Sequence, residues 1–146
     1  MTIRKILVAV DGSKASVNAA SYAIELAKNI GASLTVLSII VPSAYMDFGY
    51  ATVGKSKEIE TKERKQTQDE LDKLKKKAMA KGVTIKTDIV VKYRSIVKEI
   101  VDYAAKRKID LIVTGSRGMT GFKKMVLGSV ASGVVTYSDC PVLVVK

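Results

Sequence analysis

Five short apolar runs, each separated from the next by a longer amphipathic or charged stretch, constrain this 146-residue chain more than anything else in it. Lys5-Ile-Leu-Val-Ala-Val10 opens the series, Ser33 to Ile40 and Val83 to Val91 follow, then Leu111 to Thr114, and Val142 to Lys146 closes it. The first of them is β-branched and almost wholly apolar, as a strand covered on both faces is. Between them the period becomes helical. Ser13 is placed to cap a helix whose apolar side runs through Val17, Ala20, Ile24 and Ala27, and Gly31 stops it. A long charged helix is expected from about Ser56 to Lys81, closed by Gly82, with acid-first pairs such as Glu58–Lys62 and Asp69–Lys73 four residues apart. Ser95 caps a third helix that reaches Arg107, and a fourth runs to about Tyr137. Residues 42 to 55 show no clean period and read as a mobile loop.

Strand and helix alternating in this way build one α/β domain over residues 1–146, a doubly wound five-stranded parallel sheet with helices on both faces. A strand order of 3-2-1-4-5 sets the switch point between the first and fourth strands, and ligands of such sheets bind outside the carboxyl ends there. Two loops meet at that point: Asp11-Gly12-Ser13, and the long turn from Gly115 to Ser129. No second domain, repeat or low-complexity segment is evident.

The second loop carries the suggestive chemistry. Gly115, Gly118, Gly128 and Ser129 leave a buried strand and feed Val130 to Thr136, which can be helical. Glycine lets a backbone approach an anion, and the first N–H groups of a helix have no internal partner, so the arrangement suits phosphate. Arg117 can pair with a phosphate or face solvent. Ser129 can serve as an N-cap, a role compatible with phosphate binding. Asp11 can accept ribose hydroxyls or help hold a metal with phosphates; its plainer role is to close an Asp-Gly turn. Lys123 and Lys124 read equally as phosphate neutralisers and as surface charges, while Met119 and Met125 read as packing. The P-loop and the Gly-x-Gly-x-x-Gly dinucleotide fingerprint are both absent.

Composition narrows the function classes. With 47% hydrophobic and 27% charged residues the chain is globular. Its longest uncharged stretch, Asn29 to Met46, is interrupted by Asn, Gly, Ser, Thr and Pro and does not read as a bilayer span. The first ten residues go straight into a strand pattern without a signal-peptide cleavage site, which points to a cytoplasmic protein. The absence of histidine removes Ser-His and Cys-His dyads and every His-containing zinc site. Cys140, the single cysteine, reads as a small buried hydrophobe. The net charge is +11, and much of the lysine sits in Lys55 to Lys81, where it is interleaved with acids and reads as a solvated face. No aromatic and basic interleaving favours nucleic acid.

These residues carry a resemblance. Gly115-x-x-Gly118, nine residues, then Gly128-Ser129 resembles the ATP-binding signature of the universal stress protein family. The Val10-Asp11-Gly12-Ser13 opening and the Cys140-Pro141-Val-Leu-Val-Val145 ending are similar too, so the likeness covers the whole chain. The resemblance implies a 3-2-1-4-5 sheet and an adenine nucleotide ligand, ATP or else ADP or AMP, with Mg²⁺ or Mn²⁺ as a candidate companion of the phosphates. Carried over, it sets Val10 and Ile39 against the adenine and Asp11 and Gly115 against the ribose. Arg117, Gly118, Gly128, Ser129 and Val130 then face the phosphates. It also implies a homodimer through Val142 to Val145, and a regulatory protein partner in a stress response. The alternatives are a weak ATPase or adenylate-using enzyme, and, less favoured, a basic nucleic-acid-binding domain. The chain departs from the pattern at Ser38, at Ala131, and in Val90-Val-Lys-Tyr-Arg-Ser95, where relatives often have Gly and Pro.

Overall fold

The computed structural model describes residues 1–42, 53–92, 95–117 and 127–146, with 53–56 as backbone. The order is β1 (Lys5–Val10), α1 (Lys14–Ile30), β2 (Ser33–Ile40), α2 (Val53–Ala80), β3 (Ile85–Val91), α3 (Ile96–Arg107), β4 (Leu111–Gly115), α4 (Ser129–Tyr137) and β5 (Val142–Val145). All strand pairs are parallel, as the alternation of the sequence predicts, and the sheet order is β3-β2-β1-β4-β5, the order the family resemblance implies.

Side chains leave a strand alternately to its two faces, so β1 feeds two cores. Ile6, Val8 and Val10 join Leu34, Val36 and Val113 beneath α1 and α2, while Leu7, Leu37 and Ile112 pack under Ile100 and Ala104 of α3 and Val134 of α4. Helix α1 presents an almost all-alanine face, Ala19, Ala20, Ala23 and Ala27, which brings its backbone close to the central strands. It brings the helix so close that a Cβ on Gly115 would stand 3.0 Å from the carbonyl carbon and oxygen of Ala15.

Several boundaries differ from the sequence reading. Val17 is 37% exposed, because Ser16 takes the inward position and the next residue lies 100° further round the helix. The long helix begins at Val53, three residues before the expected Ser56, so residues 53–55 leave the expected loop; its remaining stretch from 43 to 52 lies outside the described residues. The third strand starts at Ile85 instead of Val83. Gly82, at φ +76°, turns the chain into the left-handed region, and the Val83 N–H donates back to the Ala78 carbonyl at 2.9 Å, so Val83 still closes the helix. Among the described residues of α2, those that reach the core, Leu71, Leu74 and Ala78, lie in its second half. Lys77 Nζ donates to Ser21 Oγ at 2.7 Å and Lys81 pairs with Glu25, tying that half to α1. The Lys81 ammonium holds the Glu25 carboxyl below its ordinary range. At the sheet's other end Asp110 accepts the N–H groups of Arg4 and Lys5, both at 2.9 Å, and these bonds hold its own carboxyl low.

Candidate functional site

The loop after β1 is closed by its own side chains. Asp11 Oδ1 accepts the Ser13 N–H at 2.9 Å, and Ser13 Oγ accepts the Ser16 N–H at 3.2 Å, capping α1 as expected. Ser16 Oγ donates to the Ser13 carbonyl at 2.9 Å and accepts the Asp11 N–H at 3.2 Å. Asp11 therefore does close an Asp-Gly turn with one carboxylate oxygen. Its other oxygen has no protein hydrogen bond among the described residues. Gly12 sits at φ +81°, and a Cβ there would meet the Glu70 carboxylate of α2 at 3.0 Å.

The loop after β4 is drawn together at its neck. Ser116 donates its N–H to the Val145 carbonyl at 2.9 Å and accepts the Gly128 N–H at 2.7 Å, so the chain returns to within one hydrogen bond of where it left. Arg117 lies just inside that neck; Gly118, Met119, Lys123, Lys124 and Met125 fall outside the described residues. Helix α4 then starts at Ser129. The N-cap position belongs to Gly128, not to Ser129, and no side chain caps the helix. The N–H groups of Ser129, Val130 and Ala131 therefore have no helical partner. Gly128 holds φ −55° and ψ 153°, backbone that any residue adopts, so its conformation does not demand glycine.

Between the two loops lies a cavity of about 300 Å³ at the carboxyl ends of β1 and β4. It gathers Val10, Asp11, Ile39, Gly115, Arg117, Gly128, Ser129 and Val130, eight of the nine positions singled out in the sequence, the ninth being Gly118. Its inner wall is apolar: Leu37 and Ile39 of β2 face Ile96 and Ile100 of α3. Thr114, buried at the end of β4, and Ser16 are its buried polar residues, and Ala131 adds a methyl to the lining. Ile96, Ile100, Leu37 and Thr114 are absent from the sequence-based site. Ile96 and Ile100 look like ordinary core residues four apart on an amphipathic helix. The available signal was position, since α3 begins where β3 ends and its first turn must stand at the same crest. Ser38 is buried opposite Val10 in the sheet register and does not line the cavity; its neighbours Leu37 and Ile39 do. Tyr93 and Arg94, in the segment that departs from the family pattern, lie outside the described residues. Cys140 is half-buried rather than buried, with its Sγ 3.4 Å from Ser138 Oγ. Among the described residues no cluster of three or more acidic, Cys or His side chains forms a metal cage, and no helix is long and apolar enough to cross a membrane.

A doubly wound α/β domain with a ligand-sized cleft at its topological switch point defines a class of small-molecule-binding proteins. The chain belongs to the universal stress protein family, whose sequence pattern matches residues 2–146. The universal stress protein MJ0531 of Methanocaldococcus jannaschii is 38% identical over 98% of this chain and 82% of its own length. The solved universal stress protein UspA of Lactobacillus plantarum superposes with a TM-score of 0.87 at 28% identity, covering 100% of this chain and 99% of the other. A universal stress protein solved in complex with cAMP matches with a TM-score of 0.68 at 25% identity, covering 100% of this chain and 98% of the other.

Proposed function

We propose that the cleft binds an adenine nucleotide, with ATP as the full ligand and ADP or AMP as its partial occupants, and that the protein is a regulatory module of the stress response. The observation that carries this reading is the pairing of an apolar slot with an uncapped helix start: Ile39, Ile96 and Ile100 offer a flat base a dry wall, and the N–H groups of Ser129 to Ala131 face the same space. The cAMP complex of a relative supports the adenylate class. In this arrangement Val10 and Ile39 flank the adenine, Asp11 and Gly115 the ribose, and Arg117, Gly118, Gly128, Ser129 and Val130 the phosphates. A Mg²⁺ or Mn²⁺ ion would be held chiefly by the phosphates, with Asp11 as its protein ligand.

Gly128→Val is the direct test. Because the backbone there is ordinary, the unfolding free energy should change by no more than about 0.5 kcal/mol, while ATP affinity falls by more than about tenfold as the new side chain blocks the phosphates. Calorimetric titration showing undiminished ATP binding by a folded variant overturns the reading. Dimerisation through β5 follows from the same family pattern and from physics, since an apolar edge strand left open is a liability. Removing residues 142–146 should give monomers or insoluble protein; light scattering that still reports a dimer removes this interface.

A further inference from the structure

A second depression, of about 490 Å³, opens at the opposite end of the sheet, beside the amino ends of β1 and β2 and the last turn of α3. The apolar alternation breaks there. Leu37 and Val90 enter the core beneath α3, but one pleat earlier on the same faces stand Thr35 and Asp88, with Lys86 a further pleat back. Asp88 is the only carboxylate among the described lining residues, against five cationic side chains. It is already engaged: Tyr103 Oη donates to it at 2.9 Å, and Arg107 approaches it at 3.7 Å while lying 3.6 Å over the Tyr103 ring.

The four lysines are left over. Among the described residues none of Lys5, Lys86, Lys106 or Lys108 has a carboxylate within ion-pair distance; Lys5 Nζ donates to the Arg107 carbonyl at 3.3 Å. The nearby acids are occupied elsewhere, Asp110 by the Arg4 and Lys5 N–H groups and Asp102 by Lys98 at 2.8 Å. The carboxyl end of α3 supplies about half an elementary negative charge, which offsets part of one lysine and leaves the rest.

We infer that this depression is a second ligand site, which takes a small anion bearing several phosphoryl groups. Lysines act as mobile point charges suited to a chain of phosphates, and Thr35, on the same face as Lys86 and Asp88, lines the same space with a hydroxyl-bearing side chain. The volume is that of a small-molecule site. Single-stranded nucleic acid fits less well, because base stacking needs an open aromatic face and Tyr103 is 8% exposed beneath Arg107. The site does not depend on what the crest cleft holds.

Titration of the ¹⁵N-labelled protein with tripolyphosphate at about 0.15 M salt, where loose surface attraction is screened, tests it. The amides of Thr35, Thr87 and Lys106 to Ile109 should shift together and saturate at one equivalent. Reversing two exposed charges in Lys86→Glu/Lys106→Glu should weaken binding by about tenfold or more. The same reversal on the exposed side of α2, Lys73→Glu/Lys76→Glu, should leave it within about twofold. ATP shifting these same amides identifies a nucleotide's phosphate chain as a source, and tripolyphosphate alone doing so identifies the free anion; both support the site. Shifts confined to residues 115–117 and 128–131, equal loss in the two double variants, or no saturable binding would each overturn it.

Discussion

The two ends of this sheet are built from the same strands and one shared helix, yet they offer opposite chemistry. At the carboxyl crest α3 contributes Ile96 and Ile100 to a dry wall, and positive character comes from Arg117 and from backbone N–H groups at a helix start. At the amino end the same helix contributes Tyr103, Lys106 and Arg107 to a wet hollow, and charge is met by long side chains. The contrast follows from direction. In a parallel sheet with crossover helices every strand points its carboxyl end one way, so helix starts gather at the crest and helix ends at the other rim. Backbone adds to the positive field at one rim; at the other, lysine must supply it against the helix dipole.

Three substitutions sharpen or break that division. Ile100 is 1% exposed and belongs both to the cleft wall and to the core, so Ile100→Ala should cost about 2–5 kcal/mol in urea unfolding and weaken nucleotide binding as well. A variant that keeps full stability would mean the wall is not part of the core. Gly115→Ala comes next, at about 1–3 kcal/mol, since the added methyl meets the Ala15 backbone rather than a movable side chain. Here unfolding should shift even without nucleotide, which separates Gly115, held against the Ala15 backbone, from Gly128, whose backbone conformation is ordinary. Tyr103→Phe should cost least, about 0.5–1.5 kcal/mol, by removing the bond to Asp88. Burial first, and then the Asp88 hydrogen bond and charge, raise the Tyr103 hydroxyl from 10.0 to about 12. The folded state therefore resists ionisation that the unfolded chain undergoes near pH 10, so this contribution is whole below pH 10 and drains away as the pH climbs towards 12. Denaturation midpoints between pH 9 and 12 should fall more steeply for the native protein than for the Phe variant.

Much of this was legible in the residues because the causes are local. The strands announce themselves by unbroken apolar runs, and Ser13 and Ser95 cap their helices because each hydroxyl reaches an N–H three residues on, at 3.2 Å and 3.3 Å. Strand and helix alternation with the crossover rule then gives a doubly wound parallel sheet, and the family resemblance adds its 3-2-1-4-5 order and with it the meeting of two distant loops. What was not legible depends on partners remote in sequence. Val83 looks like a strand residue but closes α2 onto Ala78. Gly133 carries no local signal, yet a Cβ there would lie 2.6 Å from Val97 Cγ2, so the close contact of α3 with α4 rests on it. Ile96 and Ile100 resemble every other buried isoleucine until the sheet shows which end of α3 they occupy.

Ser116 gives the molecule a mechanical joint. Its peptide is shared by the final strand on one side and by the base of the glycine turn on the other, with no slack residue between the two attachments. The C-terminal edge and the lip of the cleft are thus two hydrogen bonds apart, with a single residue between them.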